Sequence, residues 1–192
     1  MSVTASAQMR ALTEPAPPYR GEGPHALWHV SENDSISRFE PHRARTSTLD
    51  ERLVWAIDTR HLPLYWFPRA CPRGTFWANS GTTDDDVVRF LDGTRDLRVH
   101  VVEPGWIEAM RTTRVVAYRL PEETFEPWDR FWISRSAVEP LELVELGDLV
   151  VRHEHAGVRL DTDDELLELW QDVIGSTLDY SGIRLGNARM AR

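Results

Sequence analysis

The chain contains no lysine; all 22 of its basic residues are arginine. That absence removes Schiff-base chemistry, a Ser–Lys nucleophile pair and the lysine of a phosphate-binding loop together. It leaves a cation whose planar fork suits phosphate and carboxylate. There is one cysteine, Cys71, so an internal disulfide and a cysteine-based zinc cage are excluded. No apolar run approaches bilayer length, and nothing resembles a secretory signal; the expected setting is the cytoplasm, without a membrane partner. Net charge is −9, which argues against nonspecific nucleic-acid binding, although a nucleic-acid acceptor held by a local basic patch stays open.

Aromatic residues, by contrast, are plentiful. Eight tryptophans are spread along 192 residues, most of them core material and some suited to lining a pocket for a flat ring. The length suits one domain with a real core. Residues 1–23 read as a loose leader of Ser, Thr, Ala, Glu and Pro, residues 24–187 as a single domain, and residues 188–192 as a tail.

Ala26-Leu27-Trp28-His29-Val30-Ser31-Glu32 reads as a strand. Alternation puts His29 and Ser31 on one side and sends Trp28 and Val30 into the core. Arg38, Arg43 and Arg45 follow in a polar loop that can face an anion or simply be solvated. Arg52–Asp58 reads as a buried strand leading into a brief, proline-interrupted helix through Tyr65. Arg69–Arg73 is a turn, with Cys71 structural, and Thr75–Ala78 a strand. Thr83 caps a short helix whose acidic first turn, Asp84-Asp85-Asp86, favours the helix dipole more than a metal. Leu97–Val102 is a strand, Trp106–Thr112 a short helix, Arg114–Leu120 a strand. Phe125–Asp129 reads as a loop, Phe131–Ser134 as a strand, and Leu141–Leu146 as a strand with Glu142 and Glu145 on a wet face. Asp148–His155 is a short helix. His153-Glu154-His155 lacks the spacing of a zinc helix. Thr162 with Glu165 reads as a capping box opening an amphipathic helix to Ile174, and the segment from Ser181 as surface tail. No metal cluster has ligand spacing. These elements describe an α+β domain on mostly antiparallel strands, with short helices and a C-terminal helix; a Rossmann domain does not fit.

Leu27-Trp28-His29-Val30-Ser31 resembles the opening strand of the ADP-ribosyltransferase superfamily. Val54-Trp55-Ala56-Ile57-Asp58, with the helix through Tyr65, looks like its second core strand and following helix. Asp129–Ser134 with Val138-Glu139-Pro140-Leu141 is similar to its late strand, as it is in RNA 2′-phosphotransferases. Over residues 25–187 the chain also resembles an uncharacterised bacterial domain family that carries the Trp-His-Val-Ser-Glu, Val-Trp-Ala-Ile-Asp and Phe-Pro-Arg-x-Cys-Pro-Arg signatures. The superfamily likeness implies a split sheet whose cleft holds NAD or a related nucleotide and where a ribosyl or phosphoryl group is transferred or cleaved. On matched positions it implies that His29 bonds a ribose hydroxyl and Ser31 seats the nicotinamide end. It further implies that Tyr65 or Trp55 stacks on the ring, and that Arg38, Arg43 and Arg69 meet the pyrophosphate. The late strand of the transferases usually opens with glutamate, and this chain has Asp129 near that point. Two other readings stand beside this one. One is a ligand-binding domain without turnover on the same scaffold. The other is a small-molecule enzyme using His29 with a carboxylate as acid and base.

Overall fold

The computed structural model describes residues 26–43 and 51–189. The leader and Arg45 lie outside the described residues. The contacts fall into two compact units, one built from residues up to Trp66 together with Arg114–Leu146, the other from Phe67–Thr113 with Gly147–Arg192. Strands are mostly antiparallel and helices short, as an α+β chain requires. Among the described residues no helix is long and apolar enough to cross a membrane.

The first unit is a six-stranded sheet. Its strands are β1 (Leu27–Ser31), β2 (Val54–Asp58), β5 (Val116–Leu120), β6 (Glu126–Trp128), β7 (Phe131–Ser134) and β8 (Glu142–Glu145), in the order β6-β7-β2-β1-β5-β8. Every neighbouring pair is antiparallel. Opposed residues of paired strands share a face. The register of His29 against Tyr118 and of Leu27 against Leu120 therefore sets His29 on the side of Leu27 and Tyr118. That side carries the core of Leu27, Val54, Ala56, Val116, Tyr118, Leu120 and Trp132, closed by Phe39 and Val138. Phe39 and Val138 are pinned there by a two-way backbone bridge of 2.8 and 3.0 Å. The opposite side carries Trp28, Val30, Trp55 and Ile57.

Phe125–Asp129, expected as a loop, contains β6, which forms a hairpin with β7. Pro127 cannot donate to a ladder, but β6 is an edge strand with an unpaired side, where proline is tolerated. β8 is also an edge. There Val144 is buried while Leu143 and the preceding Leu141 are exposed, and Glu142 and Glu145 are exposed as expected.

The second unit is a four-stranded sheet of β3 (Arg73–Trp77), β4 (Arg98–Val102), β9 (Val158–Thr162) and β10 (Asp179–Ile183), in the order β10-β3-β4-β9. Its helices are α1 (Asp84–Leu91), α2 (Ile107–Thr112), α3 (Leu149–His155) and α4 (Leu166–Ile174). α1 and α4 supply Val87, Phe90, Leu91, Leu166 and Val173 to a core with Phe76, Val99 and Val101 of the sheet. Thr83 caps α1 by accepting from the Asp86 amide, as its sequence indicated.

Three expectations fail in this unit. Residues 158–162, of which Thr162 alone is expected to open a helix, form β9, which runs parallel to β4. The Thr162–Glu165 capping box does not form: Thr162 ends that strand, and Asp163 instead accepts from the Glu165 amide at 2.7 Å. The segment from Ser181, expected as surface tail, opens with the last three residues of β10, which pairs with β3. Gly182 makes that strand possible, because a Cβ there would lie 2.5 Å from a ring carbon of Trp170.

On the other face of this sheet two buried imidazoles meet. His100 is opposite Thr75, and its Nδ1 lies 2.9 Å from His153 Nε2 on α3. His153 Nδ1 lies 2.6 Å from the Leu149 carbonyl. A carbonyl only accepts, so His153 donates from Nδ1 and accepts at Nε2, and His100 donates from its own Nδ1. Both rings are wholly buried and pack against Phe67.

Candidate ligand pocket

β1 pairs with β5 over all five of its residues but with β2 only at Leu27↔Asp58 and Trp28↔Ile57, among the described residues. Beyond Trp28 the two strands part. His29 Nδ1 donates to the backbone carbonyl of Trp55 at 2.9 Å, so a side chain satisfies a β2 acceptor that the ladder leaves. A pocket of about 100 Å³ lies at this parting, bordered by Trp28, His29, Val30, Trp55, Ala56, Ile57, Tyr65 and Phe131. All eight belong to the first unit.

The strand register explains the composition of the lining. Trp28, Val30, Trp55 and Ile57 are the residues of β1 and β2 that alternate away from the core. Phe131 opens β7 and meets Trp55 edge to face, with ring centres 5.6 Å apart and planes at 88°. Tyr65 ends the 3₁₀ turn Leu62–Tyr65, which Pro63 favours at its start and which anchors through buried Leu62, Pro63 and Leu64. Trp28 is fixed by an indole N–H bond of 2.9 Å to Thr59 Oγ1, just after β2. Four aromatic residues therefore line the space, with three aliphatic residues and one histidine.

The structure brings three of the sequence-predicted residues to the pocket: His29, Trp55 and Tyr65. His29 borders it from the core side, where its ring packs on Phe39 at 4.8 Å, and Phe39 in turn meets Tyr118 at 5.3 Å. The other predicted residues are elsewhere. Ser31 accepts from the Asn33 amide at 3.0 Å and shapes the turn after β1. Arg38 pairs with Glu40 at 2.7 Å and Glu139 at 3.1 Å on the surface, where these carboxylates raise its pKa. Arg43 is exposed beyond the His42↔Leu53 bridge. Arg69 is exposed and belongs to the second unit. Asp129 occupies the β6–β7 turn with φ 52°, its side chain largely exposed and 4.0 Å from Arg130. Asp tolerates the left-handed conformation that such a turn needs, so the turn alone accounts for the residue.

Sequence reading missed Trp28 and Phe131 as pocket walls. Alternation sets Trp28 and Val30 opposite His29, as expected, but the core cluster of the sheet lies on the His29 side, and buried Trp28 borders the pocket from the other side. It also missed a carboxylate–imidazole pair. Asp58, 2 % exposed, accepts from both the backbone amide and Nδ1 of His61, at 2.9 and 2.8 Å. Burial pushes this carboxyl up, and the bonds and charge of His61 outweigh it, leaving its pKa below the usual value. The histidine backed by a carboxylate is therefore His61, whereas His29 is backed by a carbonyl. Cys71 is buried next to Arg73, and burial raises its thiol to about 12 against the pull of that arginine, so it is a thiol and no nucleophile. Among the described residues no group of three or more His, Cys, Asp or Glu is placed to hold a metal.

A model of a family of unknown function, DUF6886, matches residues 28–188. That span includes the whole lining of the pocket. Comparison with curated proteins and with solved structures returns no significant match. On the strength of a match over most of its length, the chain belongs to this family of unknown function.

Proposed function

We propose that the first unit binds a nucleotide of the NAD type by one ring, seated in the pocket between β1 and β2, and that it does so without turnover. The observation that carries this reading is the ring of Trp28, Trp55, Tyr65 and Phe131 around a space of about 100 Å³. A dry cavity of about 150 Å³ accepts benzene; this space is smaller, about 100 Å³, so it takes part of a single ring or of a head group, the rest standing outside. A whole dinucleotide is far larger, and its remainder would lie outside. Nicotinamide, with roughly nine heavy atoms at about 0.4 kcal/mol each, would bind alone only in the millimolar range. Tighter binding of NAD would require contacts to its ribose and phosphates.

Binding without turnover is favoured by the lining itself. Breaking an N-glycosidic bond calls for a carboxylate that steadies the developing positive charge, and no carboxylate borders the pocket among the described residues. The transferase reading is supported by His29 at the border and by Asp129, which stands two residues before the pocket wall Phe131. One experiment separates the two: thermal stabilisation by NAD, nicotinamide and ADP-ribose, with free nicotinamide assayed in the same samples. Stabilisation by NAD and nicotinamide without release supports the binding reading. Release that His29→Ala abolishes supports the transferase, and stabilisation by none of the three refutes both.

A further inference from the structure

The charge of the ring or head group can be argued from the walls. Aromatic rings carry negative faces and positive edges, and four of the eight residues around the pocket are aromatic. The rest offer almost no polar side chain: Val30, Ala56 and Ile57 have none, and His29 commits Nδ1 to the Trp55 carbonyl. A ligand group rich in N–H donors, such as a primary ammonium, would leave donors dry and unpaired here, at a cost of about 1–3 kcal/mol each. An anion would find no arginine in the lining, and the guanidinium that lies over Trp28, that of Arg119, is already paired with Glu122. A positive charge spread over carbon, with no N–H to satisfy, meets neither obstacle and gains from the rings.

Geometry points the same way. Trp55 and Phe131 stand at 88° to one another. At 5.6 Å the two rings touch each other, the edge of one on the face of the other, so they offer crossed surfaces and not a parallel-walled slot for a flat ring. The same sheet face already uses an indole in this manner. The Arg119 guanidinium lies 5.6 Å from the centre of the Trp28 ring, and Glu122, 3.6 Å from Arg119, balances that charge. The chain's net charge of −9 attracts cations at longer range.

We propose that the pocket is a site for a quaternary nitrogen: a cationic centre bonded only to carbon. This rests on reading the pocket as a ligand site and adds the charge and substitution of the group that enters it. Two sources share the chemistry, the pyridinium ring of an oxidised nicotinamide and the trimethylammonium head of a choline-like molecule.

The test compares each cation with its neutral counterpart. The full chain, labelled with ¹⁵N, is titrated with 1-methylnicotinamide against nicotinamide, and with choline against 3,3-dimethylbutan-1-ol, while the indole N–H signals of Trp28 and Trp55 are followed. A salt concentration of about 0.5 M screens general attraction to the acidic surface. The expected result is a preference of about tenfold or more for the cation in at least one pair; the pair that shows it identifies the source. Trp55→Leu should remove the preference and Trp55→Phe should keep part of it. Equal binding of cation and neutral partner overturns the proposal and leaves the pocket standing as a ligand site. Shifts from none of the four compounds overturn the proposal together with the reading on which it rests.

Discussion

The buried imidazole pair makes the second unit sensitive to acid, and the size of the effect follows from its surroundings. Burial, with Arg152 and Arg73 nearby, depresses His153 from 6.5 to about 4 despite its bond to the Leu149 carbonyl. Burial likewise holds His100 well below its ordinary value, reinforced by His153, Arg98 and Arg73. Below about pH 6.5 the unfolded chain takes up protons on these rings that the folded chain refuses, so stability falls as pH falls. The loss begins near 6.5 and is complete for His153 once pH drops through its folded value of about 4. A shift of that size corresponds to roughly 3 kcal/mol from His153 alone, a large part of a domain's stability. Carboxylates with lowered values, Asp58, Asp86 and Asp148, stabilise above their unfolded value near 4 and lose that contribution only in stronger acid. The two windows are therefore separable. Urea unfolding at steps between pH 7 and 4.5, on the wild type and on the His100→Leu/His153→Leu double variant, reads the difference. Replacing both partners avoids stranding a buried donor. The variant should show a pH dependence flatter by more than about 2 kcal/mol across this range, the share of His153 down to pH 4.5, with His100 adding to it. Equal slopes in the two proteins would refute the reasoning.

Two further outcomes concern packing. Gly182→Ala places a methyl group 2.5 Å from Trp170 and 2.7 Å from Leu185; a destabilisation of about 1–3 kcal/mol is expected by chemical denaturation, and an unchanged midpoint would show that β10 does not pack as described. Cys71, buried with its thiol raised to about 12, should resist a thiol reagent at pH 8 in the native protein and react fully in urea; rapid native labelling would place it at the surface.

Much of the first unit could be read from residue order. The strands at 27–31, 54–58 and 131–134 have contiguous apolar or alternating runs of the right length, and Trp55 and Tyr65, which the sequence offers as partners for a flat ring, both border the pocket. The strands that escaped, β6, β9 and β10, share a cause. Each carries a residue that local rules assign elsewhere: Pro127, the Asp161-Thr162 pair or Gly182. Only their neighbours across the sheet make them strands. The site was half legible for a similar reason. Period-two alternation gave the faces of β1, but the end of the β1–β2 ladder after Trp28 depends on tertiary packing, and that ending opens the pocket. Of the arginines expected to meet a pyrophosphate, Arg38 is held by Glu40 and Glu139, and Arg69 is part of the second unit. The His100–His153 contact joins residues 53 positions apart, and no local pattern announces it.

The most direct measurement is a crystal of the protein soaked with NAD. Density for the nicotinamide ring between Trp55, Tyr65 and Phe131, with the glycosidic bond intact, is the predicted result. A ring bound at another place on the protein, with this pocket left as it was, would contradict the account.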